Sequence, residues 1–121
     1  MDNKTITSDD AIFFMDMVNS AKSPNDIRGF YKRKSYYKIL DEKDSDEYQR
    51  FMRIYNAEKH ILKERERQIL DDLYGLTKPR MTLKEAGIPH NITQERVRQL
   101  RHRAEITIVR NLVKQFKGIA K

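Results

Sequence analysis

The chain contains no cysteine. Disulfides and thiolate metal sites are therefore excluded, and a reducing compartment is compatible with the composition. No apolar run approaches the roughly 20 residues needed to cross a bilayer, so no membrane partner is expected. The opening residues Met1-Asp2-Asn3-Lys4 lack the basic-then-apolar order of a secretion signal, and the expectation is a soluble, cytoplasmic protein. Catalytic furniture is missing too. There is no glycine-rich phosphate loop and no clear nucleophile beside a base, and the carboxylates sit in charged helical segments, so no enzyme is expected. His60, His90 and His102 are the only histidines and have no cysteine to join them, so neither a metal nor a cofactor is expected.

What is present is charge. Charged residues make up 36% of the chain and apolar residues 38%, which allows a modest core under an ionic surface. With 121 residues there is room for one domain, or for a small domain with a helical extension. The net charge is +7, and its location matters more than its size. Residues 1–79 hold 15 Lys and Arg against 15 Asp and Glu, whereas residues 80–121 hold 10 against 3. All the excess positive charge lies in the last third. That asymmetry is the footprint of a polyanion partner, with a solvated basic tail as the alternative.

The apolar spacing is helical almost throughout, so the expected fold is all-α, a helical bundle ending in a helix-turn-helix. Ser8-Asp9-Asp10 is a start signal for a helix over 8–22. The run Ala11-Ile12-Phe13-Phe14-Met15-Asp16-Met17-Val18 is apolar nearly all round, so this helix is expected to be buried on more than one side. It would serve as a docking or dimerisation helix, or pack into its own core. Ser23-Pro24 is a second start. Residues 28–38 mix basic and aromatic side chains, a pattern that suits base stacking and equally an amphipathic helix. Residues 41–47 form an acidic turn, with Asp44 or Ser45 as cap for the next helix. The chain is expected to divide there, into an N-terminal helical segment (1–43) and a helix-turn-helix domain (44–121).

Neither Pro nor Gly interrupts residues 45–74. Tyr48, Phe51, Met52, Tyr55, Leu62, Ile69, Leu70 and Leu73 fall within about 60° of one direction on a helical wheel. One long helix, or two meeting near His60–Lys63, fits this pattern, and the long or slightly broken helix is the expectation. Gly75 suits its left-handed end. Thr82-Leu83-Lys84-Glu85 is a capping box opening a short helix. Pro89 disfavours helical geometry before it, which ends that helix at Gly87 or Ile88. Asn91 can take the positive φ of a tight turn, and Thr93 caps a final helix reaching about Phe116.

Val97, Leu100, Ala104, Ile108 and Leu112 mark the buried stripe of that helix. Glu95, Arg98, Gln99 and His102 then point outward, at about 100° per residue. A carboxylate, a guanidinium and a carboxamide on one face are groups that read base edges in a major groove. Arg80, Lys84, Arg96, Arg101 and Arg103 would grip phosphates.

Two blocks in this order resemble the fourth conserved region of bacterial sigma factors, which recognises the −35 promoter element. Glu64-Arg65-Glu66-Arg67-Gln68-Ile69-Leu70 with Leu73-Tyr74-Gly75-Leu76 resembles that family's first helix and exit. Thr82-Leu83-Lys84-Glu85-Ala86-Gly87 and Thr93-Gln94-Glu95-Arg96-Val97-Arg98-Gln99 resemble its helix-turn-helix. The resemblance places base-reading and phosphate-gripping roles on Gln94, Glu95, Arg96, Arg98 and Gln99, with Glu95 accepting from a cytosine amino group. The family usually has arginine where Gln94 stands, so its usual target sequence is not carried over. It usually has glycine at Asn91, lacks Pro89, has an acid at Arg101, and has Ser, Thr or Pro where Lys63 precedes Glu64.

The resemblance also implies docking on the flap of the RNA polymerase β subunit. Residues 1–60 do not resemble the sigma segments that bind the polymerase clamp or melt a promoter. The expected function is a bacterial or phage transcription regulator binding promoter-like double-stranded DNA. The alternative is a protein-binding module for RNA polymerase, a sigma factor or an anti-sigma factor, including as one subunit of a split sigma factor. Apolar side chains over 11–18 and 108–116 also raise the expectation of a homodimer, which would read a palindromic site.

Overall fold

The computed structural model describes residues 6–22 and 36–116. Among these it holds six α-helices and no strand, which establishes the all-α expectation. The helices are α1 (Ser8–Lys22), α2 (Tyr36–Asp41), α3 (Asp46–Glu58), α4 (Glu64–Tyr74), α5 (Leu83–Gly87) and α6 (Gln94–Gln115). The start signal at Ser23-Pro24 and most of the basic and aromatic segment lie outside the described residues. Two compact units emerge. One takes α1–α3 with the end of α6 from Val109 onward; the other is Lys59–Ile108.

In the first unit α1 packs on α2 and α3. Ala11, Phe14, Met17 and Val18 are buried, while Ile12 is 42% exposed. The expectation of burial on several sides is thus corrected to a single buried stripe, at three- and four-residue spacing. Thr7 caps α1: its hydroxyl accepts from the Asp10 N–H at 3.1 Å, and the Asp10 carboxylate accepts from the Thr7 N–H at 3.1 Å. Ser45 caps α3 by accepting from the Tyr48 N–H at 3.1 Å. The Phe14 and Phe51 rings stack with centroids 4.8 Å apart, a geometry worth about 0.5–1.5 kcal/mol beyond the area buried. Glu58, at the end of α3, is buried and accepts hydrogen bonds from Asn111 and Gln115 of α6. Of the apolar residues expected to pair two chains, Ile108 and Leu112 are also fully buried, whereas Val109, Val113 and Phe116 are partly exposed.

Asp10 is the polar hub of this unit. Its carboxylate accepts from Arg50 Nε at 2.8 Å and from Arg53 Nη2 at 3.1 Å, although only 4% of the residue is exposed. Burial alone would raise its pKa, but the bonds from Arg50, the Thr7 N–H and Arg53 together outweigh that and lower it. A carboxylate with a lowered folded-state pKa adds stability at pH values above its unfolded pKa, and loses it as pH falls through the folded one. Asp10→Asn is therefore expected to cost about 1–2 kcal/mol near neutral pH, since both arginines are partly exposed. In urea melts at several pH values the gap to the parent should close below about pH 4. A gap that stays constant down to strongly acid pH would refute the role given to this carboxylate.

The second unit opens with a break. Lys59–Ile61 is a 3-10 turn, Lys63 is extended at φ −69° and ψ 155°, and α4 starts afresh at Glu64. The expected long helix over 46–74 is thus two helices. Lys63 has no acceptor to offer as a cap. Glu66 supplies one from inside the helix, its carboxylate accepting from the Lys63 N–H at 3.2 Å. Arg67 adds a bond to the Leu62 carbonyl at 3.3 Å. Gly75 ends α4 at φ 69°, with its own N–H bonded to Asp72 O and that of Leu76 to Asp71 O. That pair of bonds is a Schellman motif. Ile69, Leu70, Leu73 and Tyr74 are buried from α4, Ala86 from α5, and Val97, Leu100, Ala104 and Ile108 from α6. The Tyr74 hydroxyl donates to the buried carboxylate of Glu105, tying α4 to α6.

Candidate nucleic-acid interface

The interface is assembled from α5, a tight turn and the first half of α6. Thr82 opens α5 with both halves of a capping box: its N–H donates to Glu85 at 2.9 Å and its hydroxyl accepts from the Glu85 N–H at 3.1 Å. α5 ends at Gly87, but Ile88 keeps right-handed helical geometry at φ −58° and ψ −50° despite preceding Pro89. A 3-10 turn, Ile88–His90, carries the chain on to Asn91. Asn91 adopts φ 56°, the other positive φ among the described residues besides Gly75. Its N–H bonds Ile88 O at 3.1 Å and that of Ile92 bonds Gly87 O at 3.2 Å, again the Schellman pattern. Asparagine fills the left-handed position because its short polar side chain tolerates it better than most.

This turn closes tightly on Gly87. A Cβ added there would lie 2.6 Å from Ile92 O and 2.9 Å from Val97 Cγ2. Close approach is what brings α6 against α5. Thr93 then caps α6, its hydroxyl accepting from the Arg96 N–H at 3.1 Å.

With Val97, Leu100 and Ala104 buried, Gln94, Glu95, Arg98, Gln99, His102 and Arg103 are exposed, and Arg96 partly so. On α5 and the loop before it, Lys84 is exposed and Arg80 partly exposed. Arg101 is different. It is 7% exposed, and so poorly placed to grip a phosphate. One turn after Val97 and next to Leu100, it lies at the margin of the buried stripe, where packing rather than charge sets its exposure.

The outward side chains are not independent. Glu95 accepts from Arg98 Nε at 3.2 Å and from Arg98 Nη2 at 2.5 Å. Gln99 accepts from Arg96 Nη1 at 3.2 Å. Both pairs are three residues apart, a spacing visible in the sequence, although sequence reasoning assigned each side chain to DNA separately. Gly87 is the functional residue that reasoning overlooked, because nothing in a sequence marks which atoms will approach a missing Cβ. Among the described residues no cluster of three His, Asp or Glu side chains could hold a metal ion. No helix among them is long and apolar enough to cross a membrane.

Comparison with known families bears directly on this segment. Residues 60–104 match the family model described as sigma-70, region 4. Searches of curated proteins and of solved structures returned no match. The matched stretch lies inside the second compact unit and takes in α4, the capped turn and the start of α6, with every outward side chain from Lys84 to Arg103. A DNA-binding, regulatory module that also implies interaction with RNA polymerase is what this family denotes. Residues 60–104 of this chain form a sigma factor region 4 domain, a helix-turn-helix module of the transcription machinery.

Proposed function

We propose that the protein is a transcription regulator that binds promoter-like duplex DNA through residues 93–103 and meets RNA polymerase through the same domain. The observation that carries this reading is the outward face of α6. It is a continuous exposed row of amide, carboxylate and guanidinium groups, held on a helix whose start is fixed by Thr93 and whose other side is buried. Gln94, Glu95, Arg98, Gln99 and His102 are the candidate base readers. Lys84, Arg80, Arg96 and Arg103 are the candidate phosphate contacts, which would make affinity salt-dependent. Arg101 has no part in this set, given its burial.

Selecting bound sequences from a random duplex library tests the reading, with a preferred motif as the expected result. Arg98→Ala should then cost about 1–3 kcal/mol on the selected duplex and relax preference at one position. An unchanged footprint and affinity for that variant would sink the assignment.

The second reading, a protein-binding module for polymerase, a sigma factor or an anti-sigma factor, is favoured by one observation. The family match begins at residue 60, so α1–α3 carry no recognised promoter-melting segment. On that reading the protein acts beside a partner that opens the promoter, as one subunit of a split sigma factor does. Polymerase recovered with the full chain, without any sequence-selective shift at about 150 mM salt, would favour it, since that ionic strength weakens non-selective phosphate binding. The β flap is the polymerase surface to test first, with flap-deleted enzyme as the control.

A further inference from the structure

Arg98 is held by two parallel bonds from one carboxylate. Both Glu95 oxygens accept from its fork, and both side chains are more than half exposed, at 57% for Glu95 and 56% for Arg98. We infer that Glu95 is a positioning residue that holds the Arg98 fork off the DNA backbone and so sets the ratio of selective to non-selective binding. The inference rests on the DNA-binding reading of α6.

A free guanidinium beside a duplex grips any phosphate and releases counterions, which adds affinity without information. Bonded to Glu95, Arg98 approaches a phosphate as half of a neutral couple, so most of that attraction is cancelled. A base edge carries no net charge, so hydrogen bonds to it are not weakened in this way. Of the five N–H donors on a guanidinium, two are used by Glu95, and the rest remain for a purine edge. The carboxylate also keeps lone pairs for a cytosine amino group. The couple is therefore a joined donor and acceptor of zero net charge, which suits base edges and has little attraction for the backbone. Nothing comparable restrains Arg96, whose partner is the uncharged carboxamide of Gln99.

The test uses the full chain with Glu95→Gln, Arg98→Ala and the double variant. Affinity is measured on the selected duplex and on a random-sequence duplex, over about 50–200 mM salt. Glu95→Gln is expected to steepen the salt dependence on the random duplex by about 0.9 in log–log slope, the value of one added phosphate contact. It should also lower the ratio of selected to random affinity by about tenfold, the scale of one lost base contact. In the Arg98→Ala background the same substitution should leave the slope unchanged.

An equal gain of slope in both backgrounds would show that Glu95 repels DNA merely as a lone negative charge, and would overturn the proposal. An unchanged slope when Arg98 is present would overturn it too. Absence of any preferred sequence for the parent protein would count against the promoter-reading function and not against this couple, which is read on the random duplex. Failure of every form to bind duplex would overturn both. Coincident thermal melts of the parent and Glu95→Gln exclude unfolding as the cause of any change.

Discussion

Gly87→Ala is expected to destabilise the helix-turn-helix by about 3 kcal/mol and to abolish DNA binding with it. Helix propensity argues the other way, since alanine is better than glycine in a helix by up to about 1 kcal/mol. Backbone freedom is not at issue either, because φ −81° and ψ −20° suit any residue. Sterics decide the sign. The new methyl group would meet Ile92 O at 2.6 Å and Val97 Cγ2 at 2.9 Å. The first is a backbone atom in the turn, itself fixed by the Ile92 N–H bond to Gly87 O, and cannot swing aside. The second belongs to a fully buried side chain. Relief therefore means opening the turn and shifting α6 off α5. Asn91→Gly is the matched control. At φ 56° glycine meets no steric penalty, so this variant should melt close to the parent. Thermal melts and gel shifts of the two variants check the pair of outcomes. An alanine variant that melts at or above the parent would show that the turn is not closed on Gly87.

Gln94→Arg is expected to change which base is preferred at one position of the target and leave the other positions alone. Gln94 is the first residue of α6 and is exposed. A carboxamide matches the N6 and N7 edge of adenine, whereas a guanidinium matches O6 and N7 of guanine. Each such pairing is worth about 1–3 kcal/mol of discrimination, so exchanging one for the other moves the relative preference by about twice that. The extra positive charge should also steepen the salt dependence if the new side chain reaches a phosphate instead. Selection from a random library with both proteins separates these results. A changed column with flanking columns intact supports base reading by this position. Identical motifs with a steeper salt slope would place the side chain on the backbone.

Much of this module was legible from residues within five positions of one another. Thr82 with Glu85, Thr93 with the N–H three residues on, Gly75 at the end of α4 and Asn91 in the turn all act through bonds of that reach, and the structure shows each in place. The buried stripe of α6 followed from period alone, as did the outward position of Glu95, Arg98, Gln99 and His102. The count of charge also placed the basic excess in the last third of the chain before any coordinate was needed.

Other features depended on what each helix meets. Residues 45–74 carry one unbroken apolar period, yet the helix stops at Glu58, and Glu66 restarts it from within by capping Lys63. Arg101 reads as one more basic residue in a basic helix, but packing leaves it only 7% exposed. α1 is apolar on several sides, but its neighbours cover only one and Ile12 is left out. Capping and periodicity act along the chain and are written in it. Burial at the margin of a stripe, the room beside Gly87 and the buried contact of Tyr74 with Glu105 arise between segments far apart in sequence. Those depend on packed distances that no local pattern specifies.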